Sequence, residues 1–360
     1  MRGDPLNLIR VMPAKGQDML TSSARAAHAS DITVIGAGVA GTWQALMFAR
    51  AGCRVRLLDR DAGSLATSAS HCAGGMLAPF CESESAEPVI LRLGLRSLAL
   101  WREELPDTPI NGSLVVAHAR DRADFERFAR LTGGHRRIDG AALARLEPDL
   151  AGRFPEALYY PQEGHVEPRR VLSTLHERLR ARGVHIEFGV AADLAALAGL
   201  VIDCRGLGAR PDFVQLRGVK GEFAVVETRE VTLSRPIRLL HPRWPLYVVP
   251  RANHRFFIGA TSIESEDDGI SVRSALELMT AAYALHPAFA EARIVELGAG
   301  LRPAFPDNLP RIAVNGRHLA VNGLYRHGFL IAPALAEATV AYVIHGETDH
   351  DLIKELAACA

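Results

Sequence analysis

The stretch Asp31 to Asp59, DITVIGAGVAGTWQALMFARAGCRVRLLD, constrains the fold more than any other. Asp31 to Ile35 is a short apolar run rich in β-branched residues, the pattern of a parallel strand buried on both faces. Gly36, Gly38 and Gly41 follow as G-x-G-x-x-G. The first glycine allows the tight turn, the second lets backbone approach a pyrophosphate, and the third lets helix and strand pack closely. Thr42 to Ala51 has helical spacing, Gly52 stops it, and Val55 to Leu58 reads as a second strand. Asp59 ends that strand about 20 residues after the turn, where a carboxylate reaches the ribose hydroxyls of an adenosine. The frame predicts a dinucleotide site whose contacts are Gly36, Ala37, Gly38, Val39, Ala40, Gly41, Asp59 and Arg60.

Charge narrows the partners. Lys+Arg and Asp+Glu both number 41 in the 360 residues, so nothing favours nucleic acid or an anionic membrane. The five cysteines, Cys53, Cys72, Cys81, Cys204 and Cys359, form no C-x-x-C, and no His/Cys cluster has metal-ligand spacing. Reduced thiols, no metal and a cytoplasmic setting are expected. No apolar run approaches the ~18 residues of a membrane span. Residues 1–30 lack the apolar core of a secretory signal and read as a disordered extension, or as an upstream start with Met19 nearer the true one.

Further along, Ala62 to Pro79 is rich in Ser, Ala and Gly. Small residues in series let backbone approach a flat or anionic group, so Ser70, Gly74 and Gly75 become cofactor candidates, against a plain flexible loop. Leu200 to Asp203 is another strand running into small residues, at Gly206. From Val219 the texture changes. Glu222 to Glu227, Val231 to Pro236, Leu246 to Pro250 and Arg255 to Ala260 read as short strands of an antiparallel sheet. Val272 to Leu285 is its helix, and Ala292 to Leu301 a returning strand ending at Arg302-Pro303. Gly328 to His345 is the last helix.

In this order, the glycine turn, Gly75-Met-Leu-Ala-Pro79, His165-Val-Glu-Pro168, Val219-Lys-Gly-Glu222, Tyr247-Val-Val-Pro-Arg251, Gly300-Leu-Arg-Pro303 and Gly323-Leu-Tyr-Arg-His-Gly328 carry a resemblance. The chain resembles the FAD-dependent glycine oxidases of thiamine biosynthesis, within the D-amino-acid oxidase and sarcosine oxidase superfamily. The resemblance runs from about residue 31 to the last helix. It implies an α/β plus α+β fold, a Rossmann-like FAD-binding domain of glutathione-reductase type with an inserted antiparallel-sheet substrate domain. Residues 31–100, 165–215 and 300–360 would form the first, and residues 101–164 and 216–299 the second. It also implies non-covalent FAD, oxidation of glycine or another small amine to an imine that hydrolyses to glyoxylate and ammonia, O2 as acceptor giving peroxide, and a homo-oligomer, possibly a tetramer.

Amine oxidation by a flavin takes a hydride from Cα, so the protein must orient substrate and needs no strong acid or base. Arg302 has the planar fork that holds a carboxylate bidentately. The resemblance makes Arg302 and Tyr247 the carboxylate binders; the bland readings are a surface salt bridge and a core tyrosine. It places Met76 over the substrate, Arg326 beside substrate and flavin, and the backbone of Val190 at the adenine. Tyr325, Arg326, His327, Gly328, Phe329 and Leu330 would meet the isoalloxazine, where the start of the last helix offers partial positive charge. Cys81, Glu82 and Glu84 would line an entrance or sit on the surface. His71-Cys72 stands where the family has small residues; a covalent histidyl link is disfavoured because the register is one residue off. The competing functions are an FAD-dependent D-amino-acid or secondary-amine dehydrogenase using a carrier or quinone, and a non-catalytic flavoprotein subunit.

Overall fold

The computed structural model describes residues 31–241 and 246–355; the extension expected at residues 1–30 lies outside them. β1 (Asp31–Ile35) enters the glycine turn, α1 (Val39–Arg50) leaves it, and β2 (Arg54–Asp59) returns parallel to β1. Next come β3 (Met76–Leu77), the single turn α2 (Pro79–Glu82) and α3 (Pro88–Glu104). β4 (Ser113–Ala117), α4 (Arg122–Leu131), β5 (Arg136–Asp139), α5 (Gly140–Leu146) and β6 (Glu156–Tyr160) make an excursion into a second sheet. β7 (Gly164–His165) pairs with β3, and α6 (Pro168–Ala181), β8 (His185–Phe188) and β9 (Leu200–Asp203) return to the first sheet. β10 (Arg217–Glu227), β11 (Ile237–Leu240), β12 (Leu246–Arg251), β13 (Arg255–Gly259), α7 (Val272–Leu285) and β14 (Arg293–Ala304) complete the second. β15 (Arg311–Asn315), β16 (His318–Asn322), α8 (Gly328–Val340) and β17 (Ile353–Glu355) close the first.

The first sheet has seven strands in the order β17-β15-β16-β9-β1-β2-β8, parallel except for the β15–β16 hairpin. Ile32, Val34 and Ile35 of β1 are buried between flanking layers, as the apolar run requires. α1 has no polar face because it is wedged between the sheet and α8, with Trp43 and Phe48 fully buried. The second sheet has eight strands in the order β14-β10-β13-β12-β11-β4-β6-β5. Alternation divides its faces. Ala224, Val226, Val248, Phe256 and Ile258 pack under α7, while Phe223, Val249 and Phe257 turn the other way with Tyr247 and Met76.

Three expectations need correction. Val231 to Pro236 is irregular, and the strand is β11, beginning after the proline. Carboxylates take the backbone donors of that stretch: Thr232 N–H goes to Asp149 and Ser234 N–H to Glu147 (3.1 Å). The returning strand does not stop at Leu301 but runs through Arg302 and Pro303 to Ala304 in the second sheet. β14 is an edge strand, where proline is tolerated because alternate N–H groups face no partner. The divisions drawn at residues 100 and 300 therefore cut α3 and β14. Finally, Tyr325–His345 is a 21-residue helical stretch long and apolar enough to cross a membrane. Here it packs against α1 and α3 in the largest core cluster.

Candidate active site

A cavity of about 1200 Å3 runs between the two sheets from the glycine turn to β14. Gly36, Gly38, Val39, Ala40, Asp59, Arg60, Ser70, Gly74, Val190 and Gly206 line one length of it. Met76, Tyr247, Arg302 and Tyr325 through Leu330 line the other. Asp59 accepts hydrogen bonds from Ala37 N–H (2.5 Å) and Asp61 N–H (2.7 Å), so its carboxylate is fixed against the turn with one lone pair left on each oxygen. Ser70 Oγ accepts from Val39 N–H (3.0 Å) and ties the small-residue segment to the start of α1.

Three expected contacts sit behind the wall. Ala37 is buried, its N–H spent on Asp59. A side chain at Gly41 would overlap the Gly36 carbonyl, so this glycine serves the approach of α1 to the turn. Gly75, at φ +72°, lies against the Val166 carbonyl and lets β3 meet β7. Val190 reaches the cavity, but its N–H already donates to Asp59 O (2.9 Å), leaving only its carbonyl for an adenine. His71 faces a second, smaller cavity, with Nδ1 3.2 Å from Ser64 O, away from the first.

At the other end, Arg302 rises from β14 over β10. Its Nη1 donates to Thr261 O (3.0 Å), and its guanidinium occupies the space above Gly221 that any side chain there would fill. This explains the glycine of Val219-Lys-Gly-Glu222. Arg302 forms no ion pair with a carboxylate among the described residues. Tyr247, beside it, feels the charges of Arg302, Glu82 and Arg326, with burial the strongest influence and its phenol pushed up. Arg326 does not stand free as a substrate cation: its Nε lies 2.8 Å from Glu82 Oε2, and Nη2 donates to Ser85 Oγ (2.8 Å). Glu82 lines the cavity, and Cys81 beside it is buried. His327, buried beneath the pair, has Nδ1 3.3 Å from the same oxygen; burial pushes its imidazole down to about 4, so it is neutral near pH 7.

The roles of two further groups escaped the sequence reading, although Arg251 closes one of its motifs. Arg251 donates to Val166 O (2.9 Å) and Gly74 O, binding its own motif to His165-Val-Glu-Pro168 and to the residue just before Gly75. Arg238, stacked over Phe128, reaches Glu84 (3.2 Å) and Glu82 (3.9 Å) along the cavity wall. Neither has a short-range signature, because each joins segments far apart in sequence.

The wall fits FAD on its own features. Gly38 and Gly206 (φ +56°) keep the glycine turn and the end of β9 free of side chains. Tyr325–His327 and the first residues of α8 line the cavity, and no side chain caps that helix start, so the positive end of the helix dipole lies at the cavity wall. Comparison with known proteins agrees. The FAD dependent oxidoreductase family (DAO) matches residues 31–342. The chain is 52% identical over 307 residues, 85% of this chain and 94% of the relative, to a Rhizobium etli protein named as the thiamine biosynthesis oxidoreductase ThiO. It is 28% identical to a glycine oxidase of Geobacillus kaustophilus, covering 90% of this chain and 96% of the relative. The crystal structure of glycine oxidase from that organism superposes with a TM-score of 0.73 at 24% identity, over 90% of this chain and 96% of that one. The chain belongs to the FAD dependent oxidoreductase family and is a flavoenzyme of the D-amino-acid oxidase kind.

Proposed function

We propose that this enzyme oxidises glycine, and more slowly other small amines such as sarcosine, to the imine that supplies the thiazole branch of thiamine biosynthesis. The observation that carries the reading is the state of Arg302. Of Arg238, Arg302 and Arg326 around the inner end of the cavity, it alone has no carboxylate of the protein against it. A guanidinium so placed is an anion site, and the Tyr247 hydroxyl beside it supplies a second donor. The names of the Rhizobium and Geobacillus relatives support the substrate and the pathway.

FAD supplies the hydride acceptor. The residues supply placement: Arg302 and Tyr247 fix the carboxylate, Met76 packs over the bound molecule, and His327, neutral, adds no charge to repel an ammonium. The amine must lose its proton before its lone pair can form the C=N bond. Burying the site between two sheets excludes the water that would stabilise the ammonium. The reading extends to a homo-oligomer, supported by the apolar side chains Ile294, Val295 and Leu297 exposed on edge strand β14.

The deciding experiment is a spectrum of the purified holoenzyme during anaerobic addition of glycine. Bleaching of the flavin band, with peroxide formed when air returns, is expected. A yellow protein that glycine leaves unreduced overturns the substrate. Reduction by glycine without peroxide in air replaces the oxidase with a dehydrogenase.

A further inference from the structure

Glu82 stands out because it places a negative charge in a site built to hold an anion. It occupies the last position of α2, only six residues after Met76, and its side chain is 19% exposed with Oε2 enclosed. Burial works to raise its carboxyl, but the charge of Arg326, with that of Arg238 further off, outweighs burial and holds it below the usual range. It is ionised at working pH. Among the described residues it is the sole carboxylate against Arg326, because Glu84 is shared by Arg127 (2.5 Å) and Arg238 (3.2 Å). Arg326, Arg238, Glu82, Tyr247 and Arg302 all line one cavity. Without Glu82, Arg326 would be a second guanidinium in that cavity without a carboxylate, whereas Arg238 would keep Glu84.

We infer that Glu82 is the specificity-determining residue of this cavity, restricting it to amines with a single carboxylate by occupying Arg326, so that of Arg238, Arg302 and Arg326 only Arg302 is left as an anion anchor. The inference rests on the proposed function in one respect, that Arg302 takes the substrate carboxylate. A substrate bearing a second carboxylate would approach Glu82 directly and meet like charge in a poorly hydrated space. Rejection is thus built from repulsion as well as from the loss of an available partner. Neutralising Glu82 reverses both effects at once. It frees the Arg326 fork, removes the repulsion, and turns a monocarboxylate site into one with two cationic anchors.

The test uses the holoenzyme at pH 8 and reads perturbation of the flavin band, so it does not depend on turnover. Malonate and monomethyl malonate share a skeleton and differ by one charge. In the unaltered enzyme malonate is expected to bind at least about ten-fold more weakly than the ester. Glu82→Gln should bring the two to parity or invert them, and should raise oxidation of iminodiacetate relative to glycine by about ten-fold or more. Adding Arg326→Met to Glu82→Gln should abolish the gain, identifying Arg326 as the second anchor. Equal binding of malonate and its ester by the unaltered enzyme overturns the inference, even if Glu82→Gln fails to take up FAD. So does a Glu82→Gln holoenzyme in which both ligands weaken in proportion. Failure of glycine to reduce the flavin would instead sink the proposed substrate and leave the ligand-binding comparison standing.

Discussion

Arg302 owes its position to what is missing beneath it. A methyl group at Gly221 would fall inside the guanidinium, yet that guanidinium is the mobile end of a long side chain. Gly221→Ala should therefore cost under about 1 kcal/mol of stability and leave FAD uptake intact. Its KM for glycine should rise toward that of Arg302→Ala. The latter should weaken substrate capture by about 2–5 kcal/mol, the loss of one partner of a buried charge pair. Steady-state kinetics of both variants check this; an unchanged KM in either removes the clamp. Glu163 sets a different test. It is fully buried on the far side of α2, accepting from Cys81 N–H (2.8 Å) and Ser113 Oγ (2.5 Å). Burial pushes its carboxyl from 4.5 up to about 7. Between those two values the native chain keeps a proton that the unfolded chain has released. The contribution is complete below 4.5 and is lost as pH rises through 7, about 3 kcal/mol in all. Glu163→Gln should flatten the decline of Tm between pH 5 and pH 8, measured calorimetrically; an unaltered slope would assign it to other groups.

Elements were legible where one local rule was enough. β1, the turn and α1 were readable because each glycine has a separate steric duty within a dozen residues. α7 was readable at its full length, and Ser271 caps it on Ser274 N–H (3.1 Å). The failures share a cause. Val231–Pro236 looks like a strand, but Glu147 and Asp149, more than 80 positions away, take its backbone donors. Arg302-Pro303 looks like the end of a strand, but β14 is at a sheet edge, a fact of topology and not of local sequence. Arg326 matched a motif, and nothing near it in sequence announced that Glu82, on α2, neutralises it. At the scale of an element the sharpest prediction concerns α1. The Cβ of Gly41→Ala would strike the carbonyl of Gly36, which is backbone and cannot swing aside. α1 must retreat from the turn, and with it the N–H groups aimed at the pyrophosphate. The purified variant should be colourless, and added FAD should not restore its spectrum; normal yellow protein would show that the turn can yield.

The whole molecule is two sheets sharing one cavity, and neither sheet owns it. The cofactor end is walled by residues following β1, β2 and β9; the substrate end by β10, β12 and β14 and by the start of α8. α2 and its Glu82 hang between them on β3, whose pairing with β7 is braced by Arg251 of β12. A ligand spanning this space stabilises whatever must stay closed around it, by about 2.7 kcal/mol at a hundred times its dissociation constant. If FAD contacted the glycine turn alone, it would protect only the first sheet from opening. Because Gly74 lies against Tyr247 and Phe257 of the second sheet, and Cys72 against Gly300 of β14, FAD should slow amide hydrogen exchange in β12, β13 and β14 as well as in β1 and α1. Hydrogen exchange of apoprotein and holoprotein compared segment by segment measures this. Protection confined to β1, α1 and β2 would mean the second sheet opens independently of the cofactor, and the substrate clamp on β14 would then be assembled by substrate and not in advance of it.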